Sequence, residues 1–314
     1  MSLPPVAGAA NGTGRVCAVV LTFNRKEMVR GCLNALRRQT HPLDQIVVVN
    51  NHSSDGTEAL LAAEFADLPA LHLTENRGAE GGFRAGMEWA YERGHDWIWV
   101  MDDDILPRPE TAGMMLQYGG ISRFLQCRRQ WPDSTLIPLD SIWDLNSCSP
   151  VNYGDDLCFQ ENDRPWVSVN WGNFEGAMIH RSIIDKIGYP EVRYFNAGGD
   201  AMYGFLASFH TNVLYLREVG FEKAFARPKE RVLGRMAYYL AVRSRFLHRE
   251  HLRGRGARVD NRIFWLSQLL LVLWAVKDAA RGFRPGWKTN VGAVLEGLRD
   301  GARGRYGRPN WIPL

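Results

Sequence analysis

Asp102, Asp103 and Asp104 stand in a row directly after the apolar run Trp97-Ile98-Trp99-Val100-Met101. Adjacent carboxylates at the end of a strand repel one another, and no helix face is available there to spread them. Water or a cation must neutralise them. Mg2+ and Mn2+ take hard carboxylate oxygens, often one or two from the protein, and complete their shell with phosphate oxygens and water. The alternative is a solvated acidic turn that caps a following helix. A further carboxylate, Asp200, stands alone in Asn196-Ala197-Gly198-Gly199-Asp200 and by itself reads as a helix cap.

The elements around these residues follow a regular order. Apolar runs at 16–21, 46–49, 70–73 and 97–101 each lead into a polar loop, and a helical pattern follows the first three loops, to about Arg38, Phe65 and Arg93. Continuous apolar strands alternating with helices imply a mainly parallel central sheet with helices on both faces. Ligands bind such sheets at the carboxyl ends of the strands. The polar residues gather there: Thr22 and Asn24, then Asn50 to Asp55, then Asn76 and Arg77, then Asp102 to Asp104. Any one loop could be plain turn chemistry. Four on one rim point to a nucleotide-type ligand with a metal on its phosphates. No GxGxxG follows the first strand and no GxxxxGK[ST] occurs, which disfavours a dinucleotide-binding domain and a P-loop.

Four stretches, VVLTFNR at 19–25, VVVNNHSSDGT at 47–57, ENRGAEGGF at 75–83 and MDDDI at 101–105, make the chain resemble the inverting glycosyltransferases of family 2, with the GT-A fold. The last two are most similar to bacterial galactofuranosyltransferases, with rhamnosyltransferases close behind. The resemblance implies that Thr22, Asn24, Asn50 and Asn51 hold the nucleoside, uridine in the nearest relatives, although many relatives carry Asp where Asn50 stands. It puts Asn76 and Arg77 by the ribose and diphosphate, with Arg84 a further phosphate partner. It assigns Asp104 to the metal, Asp102 to the metal or the ribose, and Asp103 to the sugar. Trp171 and Glu175 fall in the stretch that lines the acceptor site. Asp200 matches the catalytic base, although Gly199 and Met202 stand where the family commonly has flanking acids. A late His often completes the metal shell in relatives. None stands at 219–223, which leaves Glu222 or His210 as candidates.

Arg108 and Pro109 begin a helix expected to run to about Phe124, and 127–165 shows little periodicity and reads as an insertion on the acceptor side. These boundaries give a GT-A catalytic unit over 16–225, with a nucleotide-sugar half at 16–110 and an acceptor half at 111–225. A basic, mainly helical region covers 226–314. Between Arg227 and Arg262 eleven Lys or Arg face three acids, and the apolar run Ile263–Val276 follows. That run is shorter than the roughly 20 residues that cross a bilayer. Basic and apolar helices side by side suit an anionic membrane surface and a lipid-diphosphate-linked saccharide. Packing on the catalytic core or on a second copy of the chain, as a homo-oligomer, is the alternative. Nucleic acid is disfavoured because no binding module accompanies the charge.

The full chain of 314 residues is 46% hydrophobic with a net charge of +4, enough for a large core. Residues 1–15 read as a loose leader with no signal peptide, and five irregularly spaced cysteines argue against a disulfide framework or zinc site. A cytoplasmic protein, peripheral on the inner face of the cell membrane, is therefore expected. The expected activity is metal-dependent inverting sugar transfer, with UDP-galactofuranose as donor and Mn2+ or Mg2+ as cofactor, in cell-envelope polysaccharide synthesis. The rivals are dTDP-rhamnose as donor, a non-catalytic nucleotide-sugar-binding subunit, and a nucleotidyltransferase.

Overall fold

The computed structural model describes residues 14–138, 140–144, 149–152, 159, 164–228, 234–256, 258–280, 287–309 and 311. The elements run β1 Val16–Thr22, α1 Lys26–Leu36, β2 Gln45–Asn50, α2 Thr57–Glu64, β3 Ala70–His72, α3 Gly78–Glu92 and β4 Trp97–Asp102. Then come β5 Ile105–Pro107, α4 Thr111–Leu116, β6 Phe124–Gln130, the hairpin β7 Asp140–Asp144 and β8 Ser149–Asn152, β9 Trp166–Val169 and β10 Ala177–His180. The chain continues through α5 Arg181–Ile187, α6 Gly199–Ala207, β11 Val213–Lys223, α7 Arg235–Gly254, α8 Asn261–Ala280 and α9 Trp287–Ala302.

Nine strands form one sheet in the order β3-β2-β1-β4-β10-β6-β11-β5, with β9 also paired to β11. The β3-β2-β1-β4 half is parallel throughout. β10 runs antiparallel between β4 and β6, and β6 and β11 are parallel to each other. It follows that β11 points the same way as β4, and the two end on the same rim.

Both faces of the sheet are covered because its central strands are apolar at every position. On β1, Val16, Ala18 and Val20 pack under α1, α2 and α4, while Cys17, Val19 and Leu21 pack under α3, α5 and α6. This is the period-2 alternation of a strand buried on both sides. A third cluster joins α7, α8 and α9 to Trp143, Trp171, Tyr194 and Met202.

Two expectations about the middle of the chain need correction. The helix from 108 stops at Leu116. Gly119 and Gly120 follow, glycine is costly in helix interiors, and the chain re-enters the sheet at Phe124. The aperiodic 127–165 stretch contains the end of β6 and the β7–β8 hairpin, while 139, 145–148, 153–158 and 160–163 lie outside the described residues, as does most of the expected leader. Cys17, Cys32 and Cys127 are buried, unbridged thiols, and Cys148 and Cys158 fall outside the described set.

Candidate active site

Register brings the polar loops together. Thr22 sits opposite Asn50, Asn50 opposite His72, and Leu21 opposite Asp102. The loops are then stitched to one another. The Asn24 N–H donates to Ser53 Oγ at 2.9 Å, and Asn24 Oδ1 accepts from the Ser54 N–H at 2.7 Å. Asn24 and His52 hold left-handed backbone, with φ of 53° and 68°. Asn tolerates that region better than most residues. Asn50 Oδ1 accepts from the Ser53 N–H at 3.0 Å, and its amide nitrogen lies 3.1 Å from His72 Nδ1. Asn51 donates to Asn76 Oδ1 and to the Gly78 carbonyl, and accepts from the Arg77 N–H. The amides expected on a nucleoside thus tie the rim loops to one another.

The aspartate triplet is woven into a charge network. Asp103 accepts from the Thr22 hydroxyl at 2.7 Å and from Arg25 at 3.2 Å. Asp104 is clasped by Arg25 at 3.1 Å and by Lys223 Nζ at 2.8 Å, on its two different oxygens. Lys223 also lies 3.2 Å from Glu175, which pairs with the buried Arg129. Among the described residues no hydrogen bond reaches the Asp102 carboxylate. Burial, then Asp104 and Glu175, push Asp102 well above the usual carboxylate range. Burial pushes Asp103 up to about 6 against the pull of Thr22 and Arg25. Burial would raise Glu175 too, but Arg129 and Lys223 outweigh it and hold Glu175 well below its ordinary value.

Asp102 and Asp104 therefore fit a divalent cation. They offer hard oxygen donors two residues apart, one of them without a hydrogen-bond partner and strained by the negative charge around it. Among the described residues no third His, Cys, Asp or Glu joins them. Neither candidate third ligand is brought to them. Glu222 lies next to Lys223 on the strand, so the two point to opposite faces, and it accepts from Gln130 Nε2 at 3.2 Å. His210 precedes β11 at its amino end, about 30 Å of strand away from the aspartate rim.

Asp200 lies in the first turn of α6, after Gly198 at φ 86°. It accepts from its neighbour's amide, Ala201 N–H, at 2.8 Å. Burial pushes its carboxyl up to about 6, with the charge of Glu175 adding to the rise and Ala201, Phe174 and Arg129 opposing it. It faces the same Glu175–Arg129 pair that borders the aspartates. The loop before it is pinned from two sides. Glu80 on α3 accepts from the Gly199 N–H at 3.1 Å, and His248 on α7 lies 3.1 Å from the Gly198 carbonyl. Burial and then the Asp200 charge push Glu80 up to about 8. Gly172 and Gly204 seal the contact between α6 and the Trp171–Glu175 loop. A Cβ on Gly204 would stand 2.0 Å from the Gly172 nitrogen, so only glycine allows the backbones to meet.

Residues 17–119 match the glycosyl transferase family 2 profile. Over that third the chain is similar to the family 2 glycosyltransferases. The galactofuranosyltransferase GlfT1 of Mycobacterium tuberculosis is 35% identical over 200 residues, which cover 60% of this chain and 62% of that protein. GlfT1 of Mycolicibacterium smegmatis is 29% identical over 198 residues, 59% of this chain and 62% of that protein. The chain therefore matches less than two thirds of the length of these relatives. Among solved structures, the mannosyltransferase PcManGT from Pyrobaculum calidifontis, in complex with GDP-Man and Mn2+, superposes with a TM-score of 0.52 over 96% of this chain and 90% of that one, at 15% identity. The fold is GT-A.

Within residues 17–119 the first strand ends and the triplet meet on one rim, and Asp200 stands at its border. Trp171 is 8% exposed and stacked on Trp143 at 5.6 Å, within the third cluster. Glu175 sits with the aspartates through Lys223. Arg84 is two turns down α3, bonded to Glu88, away from the rim. Arg77 is exposed and lines a shallow cavity with Arg84 and Val192. Arg25, Arg129, Lys223 and Glu80 were not legible as site residues. Only Arg25, beside the VVLTFN stretch, carried a local signal.

Proposed function

We propose that this chain transfers a sugar from a nucleoside-diphosphate donor, UDP-galactofuranose, to a saccharide on a lipid diphosphate. The observation that carries this reading is the shared rim, with nucleoside-type loops on one side, the carboxylate triplet in the middle and Asp200 at the border. The GlfT1 similarity supports galactofuranose. Asp200 takes the proton of the acceptor hydroxyl as that oxygen forms its bond to the anomeric carbon. The bond from that carbon to the diphosphate oxygen breaks on the opposite face, and its electron pair leaves with the nucleoside diphosphate. Thr22 and Arg25 hold Asp103 for the donor sugar, and Arg25 and Lys223 keep the triplet folded inward. A divalent cation held by Asp102 and Asp104 would supply Lewis-acid charge to the leaving diphosphate.

A donor panel tests this reading. In Mn2+ or Mg2+, UDP-galactofuranose should raise the Tm more than UDP-galactopyranose, UDP-glucose or dTDP-rhamnose, and its turnover should release UDP. Stabilisation by dTDP-rhamnose alone would replace the donor.

The reading extends to the inner face of the cell membrane. No helix among the described residues is long and apolar enough to cross a bilayer. Yet eight large apolar side chains of α8 between Ile263 and Val276, including Trp265, Leu266, Leu270 and Trp274, are each 40–55% exposed. Arg262 and Lys277 flank them. A helix apolar on its outer face needs a cover, and basic ends favour anionic lipid. Leu266→Glu with Leu270→Glu should cut the fraction floating with phosphatidylglycerol vesicles at least tenfold, since each such side chain contributes about 1.5–3 kcal/mol of burial. Unchanged flotation, or wild-type protein that stays with the soluble fraction as an oligomer, would sink the membrane reading.

A further inference from the structure

Lys223 is the last residue of β11, and its ammonium is buried to within 9% of full cover. Burying an ammonium costs several kcal/mol unless it is paired. Two carboxylates from separate elements converge on it: Asp104 after β4 at 2.8 Å and Glu175 before β10 at 3.2 Å. Each has a second cationic partner: Arg25 holds the other oxygen of Asp104 while also pairing with Asp103, and Arg129 pairs with Glu175. Two of the three ammonium donors are used by these carboxylates. The charge stands 2.8 Å from Asp104, and the sheet order puts it on the rim where β4 and β11 end.

We infer that Lys223 is a resident cation of the diphosphate seat, standing in place of a third protein ligand to the divalent ion. This inference rests on the nucleoside-diphosphate reading above. Asp102 and Asp104 alone then supply the protein ligands. Lys223 carries part of the charge that the diphosphate needs and competes with the metal for Asp104. Two opposite consequences follow for binding. Loss of the ammonium weakens nucleotide held without metal, and it strengthens metal held without nucleotide.

Both quantities can be measured without turnover. UDP binding is followed by calorimetry in EDTA and in Mg2+, and Mn2+ binding by electron paramagnetic resonance without nucleotide. Wild-type protein should bind UDP in EDTA within about tenfold of its affinity in Mg2+. Lys223→Met should bind UDP in EDTA at least tenfold more weakly and Mn2+ at least tenfold more tightly. Lys223→Arg should keep the metal-free UDP affinity. If Lys223→Met does not fold, Lys223→Gln, which still donates to Asp104 without charge, gives the same comparison. A purely structural lysine would weaken both affinities together. Any pattern other than the opposite movement overturns the inference. Wild-type protein that fails to bind UDP even in Mg2+ rejects the donor reading instead, and the Mn2+ comparison still decides the competition at Asp104.

Discussion

Replacing Asp200 with Asn is expected to lower turnover by about a thousandfold and to leave UDP affinity within about threefold, because a positioned base contributes about 10²–10⁴ in rate. The substitution keeps the shape of the first turn of α6, and the Asn oxygen can still accept from the Ala201 N–H as Asp200 does. What it removes is the capacity to take a proton. The pH profile gives a second readout. The carboxyl stands at about 6 because burial and Glu175 disfavour its charge. A base must be ionised to act, so kcat/KM of the wild type should fall as pH drops through about 6 and level off above it. Initial rates of UDP release between pH 5 and 8, with calorimetry of UDP on both proteins, check both parts. Undiminished turnover in the Asn variant would remove Asp200 from the mechanism and favour a non-catalytic, nucleotide-binding role.

The largest expected effect on stability is at Arg243. Its side chain is buried on α7, and among the described residues no acid pairs with it directly. It donates to the Tyr194 carbonyl at 3.0 Å and the Gly307 carbonyl at 2.6 Å, reaches the Tyr239 hydroxyl at 3.4 Å, and that hydroxyl donates to Asp300. Arg243→Met matches the packing of the stem but strands the buried Tyr194 carbonyl and the half-buried Gly307 carbonyl. Each stranded acceptor costs about 1–3 kcal/mol, so a loss of about 3 kcal/mol is expected. For a chain of 314 residues that lowers the Tm by about 4–5 °C. Urea unfolding followed by tryptophan fluorescence measures it, and a change below about 1 kcal/mol would mean that water replaces the guanidinium. Turnover should fall as well, since Tyr194 precedes Phe195, at φ 70°, and the loop that delivers Asp200.

The parts of this molecule that were legible in the sequence are those fixed by local pattern. Apolar runs that end in Asn, Thr or Asp located the first four strands and the rim, because a strand buried on both faces has no other way to read. The triplet was visible for the same reason. What local pattern does not carry is which distant strand stands beside which. Lys223 looks like an ordinary strand-end lysine until β11 is placed between β6 and β5, and Arg129 becomes a site residue only through Glu175. Glu222 was one position from the residue that matters, and in a strand one position reverses the face. Trp171 is a different case. An aromatic ring in a glycine-rich turn fits a sugar or a core equally well, and its partner Trp143 comes from a stretch without periodicity.

The two bonds that reach the Gly198–Gly199 corner, one from Glu80 and one from His248, carry a lesson about modularity. α3 begins at the loop that Asn51 and Asn76 organise, and α7 belongs to the basic helical region. Asp200 is therefore aimed jointly by the amino-terminal third and the carboxy-terminal third of the chain. A chain cut after residue 225 would keep the rim loops, the triplet and Asp200 itself. It would lose His248 and Arg243, and with them one of the two supports that orient the carboxylate. The helices that face outward are also the gunsight of Asp200.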